Sequence, residues 1–500
     1  WPQTEVAQLI IEEPTVTYLK STTEGNSRME WRGANNRLEL QKLSITDSPY
    51  KKLAADNLLL AVQGFVYQNQ HGRTIDAGDG YLQLELNKIR LQNNEAGAWD
   101  WGTMIQNIEA GNIIADSLGR KNGKLVIYKL RLDDLQITSS TLLRWRDLLM
   151  RNKTFRLQEL TGSYKNDKSH FNWYNAGYDR NTHFFKADSF SYRPSKSQDE
   201  FVKSLQYQAD YLQANTGAIS IGPFDISKYA LDSVMNLGVV TIQDARLTDY
   251  RDKRIPREPG VIKKLPVDML QGLPVKITAD SVRLNNMQIT YEEVNEKTGE
   301  AGKIVVDRLN ANITQVRNHQ LGEKDSLRLA ATAFLENKLK TQLLYSASYR
   351  DTLGGFSMFV KMDSSDLRIF NPVLKPLISA ELKSGRLDSM QLWVTGRHDF
   401  AAGEMLMIYR DLKVKVSGNE QKKQFFGSRL RSFFANTVVI NRNSKRKGTV
   451  FAFRLTDRSA VNYLVRITFS GISSSIGLKK TSKLARKNKE MILQQKNTTK

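Results

Sequence analysis

The chain contains no cysteine, which excludes a disulfide framework and thiolate metal ligation. Histidine is almost as scarce. His71, His170, His183, His319 and His398 are far apart, and none stands in an HxH or HExxH spacing. No run of 18 apolar residues occurs, so no segment is expected to cross a bilayer as a helix; NLLLAV, Asn57–Val62, is far too short. There is no GxSxG elbow, no Walker loop and no Rossmann fingerprint. Gly111–Gly119 is not a phosphate cradle, and HGRTIDAGDG, His71–Gly80, reads as a loop. His398 and Asp399 are adjacent and would point to opposite faces of a strand. Asp133–Asp134 and Glu292–Glu293 lie at strand ends, where acids serve solubility. These absences predict a protein that is not an enzyme, with no catalytic residue, no metal site and no cofactor.

Acidic residues are lacking at one end. Residues 401–500 hold 22 Lys and Arg against 5 Asp and Glu, a balance of +17 out of a total of +22. Such an end points to an anionic partner, and a solvated tail over Lys479–Lys500 is the plainer reading.

What is present is alternation. Leu38 and Leu40 in RLELQKLSIT, and Leu82, Leu84 and Leu86 in YLQLELNKIRLQ, recur with period two. So do Lys124–Ser140, Val239–Tyr250, Lys303–Val316, Gly355–Asp363 and Asp388–Gly396. Each strand thus sets one side on apolar material. The phase slips repeatedly. Val275, Ile277 and Ala279 give way to Val282 and Leu284, then to Met287, Ile289 and Tyr291. A one-residue slip would turn every later side chain to the wrong face, so each slip predicts a bulge or tight turn. A pattern of apolar, any, apolar, Thr recurs at irregular spacing, as in Leu43–Thr46 and Met287–Thr290.

Helical signals are few. Ser140–Met150 carries Leu142, Trp145 and Leu149 on one face, and Phe201–Gln213 fits helix or strand. Phe425–Asn436 places Phe426, Leu430, Phe433 and Phe434 at helical spacing. Asp457–Leu478 forms an apolar stripe of Val461, Leu464, Val465, Phe469, Ile472 and Ile476 opposite Asn462, Arg466, Ser470 and Ser473. Arg251–Pro266 reads as a linker, and Asn295–Lys303 as a hairpin turn. The expected fold is mainly β: a long twisted antiparallel sheet bent into a groove or trough, with a few short helices and a C-terminal amphipathic helix.

Two stretches resemble a known family. Asp249–Thr314, DYRDKRIP through GLPVKITADSVRLNNMQITYEEVNEKTGEAGKIVVDRLNANIT, is similar to the AsmA-like envelope proteins, in particular the long Bacteroidota-type members. Ser384–Val416 resembles the C-terminal AsmA-like module, whose Y-x-D-L-x-V element is here Tyr409, Asp411, Leu412 and Val414. The resemblance extends over roughly Leu160–Leu478, including FFANTVVI and SAVNYLVRITFSGISSSIGL, and its motifs are structural. It implies a repeating β-groove related to bridge-like lipid transporters. It also implies a periplasmic body tethered to the inner membrane by an N-terminal helix, expected to precede Trp1. The chain departs from that pattern in its basic tail after Leu478.

The sequence thus divides into an N-terminal β-rich groove segment 1–160, a central AsmA-like groove 161–380, a C-terminal module 381–456, an amphipathic helix 457–478 and a basic tail 479–500. The leading expectation is a non-enzymatic envelope protein that shields and conducts acyl chains between membranes, or supports outer-membrane assembly. Phospholipid or another membrane lipid is the expected partner, with an inner- or outer-membrane protein as a second; nucleic acid is not favoured. Val275, Ile277, Ile289, Tyr291, Val306 and Ile313 are the lipid-groove candidates. Phe433, Phe434, Val461, Leu464, Phe469 and Ile472 are candidates for contact with membrane or partner. Two alternatives stand beside it: a scaffold whose groove is filled with side chains, and a polyanion-binding protein acting through residues 401–500.

Overall fold

A computed structural model describes residues 4–22, 25–47, 51–93, 98–118, 123–141, 144–416, 438–440, 447–477, 480–488 and 490–491. The protein is mainly β with a few short helices. Its contacts divide it into two units: residues 1–196 with 215–238, and residues 197–214 with 239–500. This division falls elsewhere than at 160 and 380.

In the first unit, eight strands lie side by side in antiparallel order. They are Thr4–Glu12, Arg37–Thr46, Lys52–Gln63, Tyr81–Asn93, Trp99–Gly111, Gly123–Thr138, Arg156–Lys165 and Ser169–Asp179. The first half of Gly123–Thr138 also pairs with Ile113–Leu118, which leads to shorter strands at Thr74–Asp76, Phe65–Gln68 and Gly25–Trp31. The helix Trp145–Arg151 meets the helix Ile226–Asp232 through stacked Trp145 and Tyr229, 6.1 Å apart. Leu142, expected on the first of these, lies outside the described residues.

In the second unit, Lys276–Val294 and Ala301–Arg317 form a long hairpin whose turn includes Gly299 at φ +69°. The sheet continues antiparallel through Ser326–Leu335, Leu339–Ser348, Phe356–Met362, Ala380–Gly396 and Phe400–Val416, ending at Gly448–Phe453. On the other side of Lys276–Val294, the strands Val239–Gln243 and Arg246–Asp252 run parallel to it. The sheet is therefore mixed, and the expectation of a wholly antiparallel one is corrected at this point. The physical reason is the connection: residues 253–275 cross back over the unit through the helix Pro266–Gln271, whose Val267 is buried with Leu265 in the core. That crossover returns the chain to the starting end, so the next strand runs in the same direction. The segment expected as a linker is thus packed. Lys263 donates its backbone N–H to the Thr456 carbonyl at 2.8 Å, and Arg254 holds the buried Asp252 carboxylate at 2.6 Å. Phe201–Gln213, ambiguous in sequence, begins in the helix Gln198–Lys203 and ends in the strand Tyr211–Thr216.

The slip expected between Ala279 and Val282 is absent: the ladder Ala279–Val316, Ser281–Thr314, Val282–Ile313 runs on without a shift, so the two side chains face opposite sides. Other slips in the apolar phase share one backbone form. Lys42, Lys88 and Asp134 in the first unit, and Asn286 and Arg308 in the second, take φ between +47° and +58° inside strands. One left-handed residue turns the chain over, so Leu38 and Leu40 before Lys42 share a face with Leu43 and Ile45 after it.

Candidate functional site

The two units treat their apolar faces differently. In the first unit, the register lines up aliphatic side chains in rows running across the strands. One row is Ile11, Leu38, Leu60, Leu84, Ile108, Leu132 and Leu157. A second is Leu9, Leu40, Leu58, Leu86, Ile105 and Leu135. A third is Val62, Leu82, Ala110, Leu130 and Leu160. Most of these are only half-buried, and Ile11 is 42% exposed. The opposite face is largely polar: one row is Ile10, Glu39, Leu59, Glu85, Asn107 and Asp133, and another includes Gln83, Glu109, Arg131 and Glu159. The longest row crosses seven strands, which at the ~4.8 Å spacing makes it roughly 29 Å long. That is about twice the ~15 Å depth of hydrocarbon in one leaflet. An open apolar surface of this extent marks an interaction surface.

In the second unit the corresponding face is filled. Leu327, Leu339, Phe356, Met358, Val360, Leu392, Val394, Met405 and Met407 are buried with Leu265, Val267, Tyr463 and Ile467, which the helices and their approaches bring down on the sheet. Here lie the groove candidates read from sequence. Ile289 pairs with Val306, and Tyr291 with Ile304. Ile313 continues the row Leu329, Tyr345, Met358, Val394 and packs against this core. Tyr291 is half-buried, donates its hydroxyl to Glu293 Oε2 at 2.6 Å, and burial pushes its phenol pKa up. Ile277 is half-buried, and Val275, outside the strand, is 37% exposed. The structure thus packs Ile313 against the core, pairs half-buried Ile289 with half-buried Val306 on the same hairpin, and leaves Val275 outside the strand. The leucine rows of the first unit were not singled out by sequence reasoning. A signal was present: leucine at alternate positions in several successive strands, with no amphipathic helix among residues 1–139 to cover them.

The helix Ala460–Ser475 lies along the edge strand Gly448–Phe453. A further helix, Lys480–Lys487, buries Ala485 against Phe400 and Phe451, so this part of the expected solvated tail is folded onto the sheet because its apolar side chains find that cover. The polar side chains of Ala460–Ser475 do the joining to the edge strand. Ser474 Oγ accepts from the Thr449 N–H at 2.9 Å. Ser470 Oγ accepts from the Phe451 N–H at 3.0 Å and donates to the Phe451 carbonyl at 2.8 Å. Arg466 Nε donates to the Phe453 carbonyl at 3.2 Å. The helical step of four residues, 466, 470 and 474, matches the strand step of two, 453, 451 and 449. Side chains thereby complete the edge ladder that an exposed strand would leave open. Leu464 and Ile472 pack against the core, whereas Val461 and Phe469 are 65% and 41% exposed. The expected stripe therefore splits, because the sheet edge offers hydrogen-bonding groups and draws Arg466 and Ser470, from the polar side, towards it. Phe433 and Phe434 lie outside the described residues.

Among the described residues no group of three or more His, Asp and Glu side chains converges as a metal site, and no helix is long and apolar enough to cross a membrane. No protein-family model matches the chain, and no curated protein matches it.

Proposed function

We propose that the first unit shields lipid acyl chains, and that the protein is a non-enzymatic envelope protein of the AsmA-like kind suggested by Asp249–Thr314 and Ser384–Val416. One observation carries the reading: aliphatic rows that cross five to seven strands, half-exposed, with a largely polar face behind them. A surface apolar along its length and one-sided suits chains that slide along it, since no single position binds more strongly than its neighbours. The lipid partner, the periplasmic setting and the N-terminal tether follow from the resemblance as parts of the same proposal.

A second reading has its own support. The apolar face of the second unit is occupied by its own side chains, as a scaffold that binds an assembly partner requires. Native mass spectrometry with lipid extraction, on chain purified in mild detergent, separates the two. Several phospholipids per chain are expected, lost in the double variant Leu60→Asp and Leu84→Asp while circular dichroism is unchanged. A folded chain free of lipid would favour the scaffold.

A further inference from the structure

Behind the filled core of the second unit, the other face of the same sheet carries an open trough of about 1090 Å³. Register places its side chains in three rows across the strands. The central row is apolar: Ala330, Leu344, Phe359 and Trp393. Leu344 is 53% and Trp393 37% exposed, and the Phe359 and Trp393 rings lie 5.6 Å apart. On one side runs a row of hydroxyls, Thr314, Ser346, Ser357 and Thr395, interrupted by Arg328. Asn312 and Glu404 end the apolar row, and the next row on its other side, just beyond the trough's lining, is Thr332, Gln342, Lys361 and Gln391. Lys447, held by Glu404 at 2.8 Å, stands 5.3 Å from the centre of the Trp393 ring and closes that end of the row.

The apolar strip is one side chain wide and walled by hydrogen-bonding groups. An acyl chain would leave both walls unsatisfied, at a cost for each polar group deprived of water. A chain of sugar rings fits them. Its C–H face rests on Leu344, Phe359 and Trp393, and its equatorial hydroxyls reach the Ser, Thr and Gln rows. The four hydroxyls have no side-chain hydrogen-bond partner among the described residues, and neither Arg328 nor Lys361 has an ion-pair partner there. Two uncommitted cations, Arg328 in the wall and Lys361 in the row just beyond the lining, select carboxylates along the chain, and the guanidinium does so with two parallel hydrogen bonds. We propose that this trough binds an acidic polysaccharide, its rings lying across the strands along the Leu344–Phe359–Trp393 row. The proposal does not depend on lipid binding by the first unit.

Isothermal titration of the full chain with a mannuronate hexasaccharide, and with cellohexaose as the neutral counterpart, tests it. Saturable binding to the uronate is expected, at least tenfold tighter than to cellohexaose. Trp393→Ala should abolish it and Arg328→Gln should weaken it about tenfold. Ser357→Gln, a change at an exposed position that fills the trough without touching the core, should also abolish it, so the result does not hinge on tolerance of the Trp393 change. Uronate binding that survives Ser357→Gln and Arg328→Gln would place it on the basic C-terminal end and overturn the proposal. So would titration by lysophosphatidylglycerol, but by neither saccharide, in a Trp393-dependent manner.

Discussion

Asp249 places a carboxylate where burial disfavours its charge. It stands opposite Tyr291 in the parallel ladder, and its Oδ1 is buried with no hydrogen-bond partner. Burial, with the nearby Asp210 carboxylate adding to it, raises its pKa to about 6 against the neighbouring Arg251. The folded state therefore holds this proton more tightly than the unfolded chain, whose value is 3.8. Stability is fully present below about pH 4 and declines as pH rises through about 6. Asp249→Asn should remove that slope and gain on the order of 1 kcal/mol at pH 7, after allowance for solvent screening of a half-exposed group. Urea melts of both proteins between pH 4 and 8 check this; parallel curves would rule it out. Lys88, at φ +55° within a strand, makes a second case. Lys88→Val should destabilise by about 1 kcal/mol because a branched side chain crowds the left-handed conformation, whereas Lys88→Gly should be close to neutral. None of this was readable locally. The slip in apolar phase marked the neighbourhood of Lys88, but the sequence does not say which residue of a slip turns left-handed.

At the scale of the element, the C-terminal helix is informative because its amphipathic pattern misleads. A moment drawn from side-chain hydropathy assumes that the partner surface is apolar. A strand edge is not: it presents unpaired N–H and carbonyl groups, and serines satisfy them. Ser470→Ala leaves the Phe451 N–H without its partner beside the core and should cost ~1–3 kcal/mol in urea unfolding. Gly448 permits the close approach. A Cβ there would lie 2.8 Å from the Ser475 backbone nitrogen, so Gly448→Ala should displace the helix end and increase hydrogen exchange at Thr449. Unchanged protection at Thr449 would show that the helix is not what shields this edge.

For the whole molecule, the distribution of charge bears on association. The +17 balance of residues 401–500 should bring the chain to anionic vesicles in a salt-dependent way. In co-sedimentation with phosphatidylglycerol vesicles, changing the exposed Lys483, Arg486 and Lys487 together to Gln, which leaves the buried Ala485 of their helix in place, should lower binding at 50 mM salt and matter little at 500 mM. Equal binding at both salts would assign the contact to apolar groups such as Val461.

Period-two alternation in RLELQKLSIT, YLQLELNKIRLQ and the later strands was enough to specify a mainly β protein, because the side-chain period follows from strand geometry alone. The slips at Lys42 and Asn286 were legible for the same reason. Which apolar face stays open was not legible. Ile313, packed against the core, looks no different in pattern from Leu60, Leu84 and Ile108. The difference lies in what reaches them: the second unit folds helices and the crossover Lys253–Val275 onto its sheet, whereas among the described residues of the first the short helices Trp145–Arg151 and Ile226–Asp232 engage mainly each other. The parallel pairing of Arg246–Asp252 depended on that same crossover, and the three rows of the trough on a register spanning more than sixty residues of chain. Alternation is a property of neighbours in sequence, whereas covering and row-making are properties of neighbours in space.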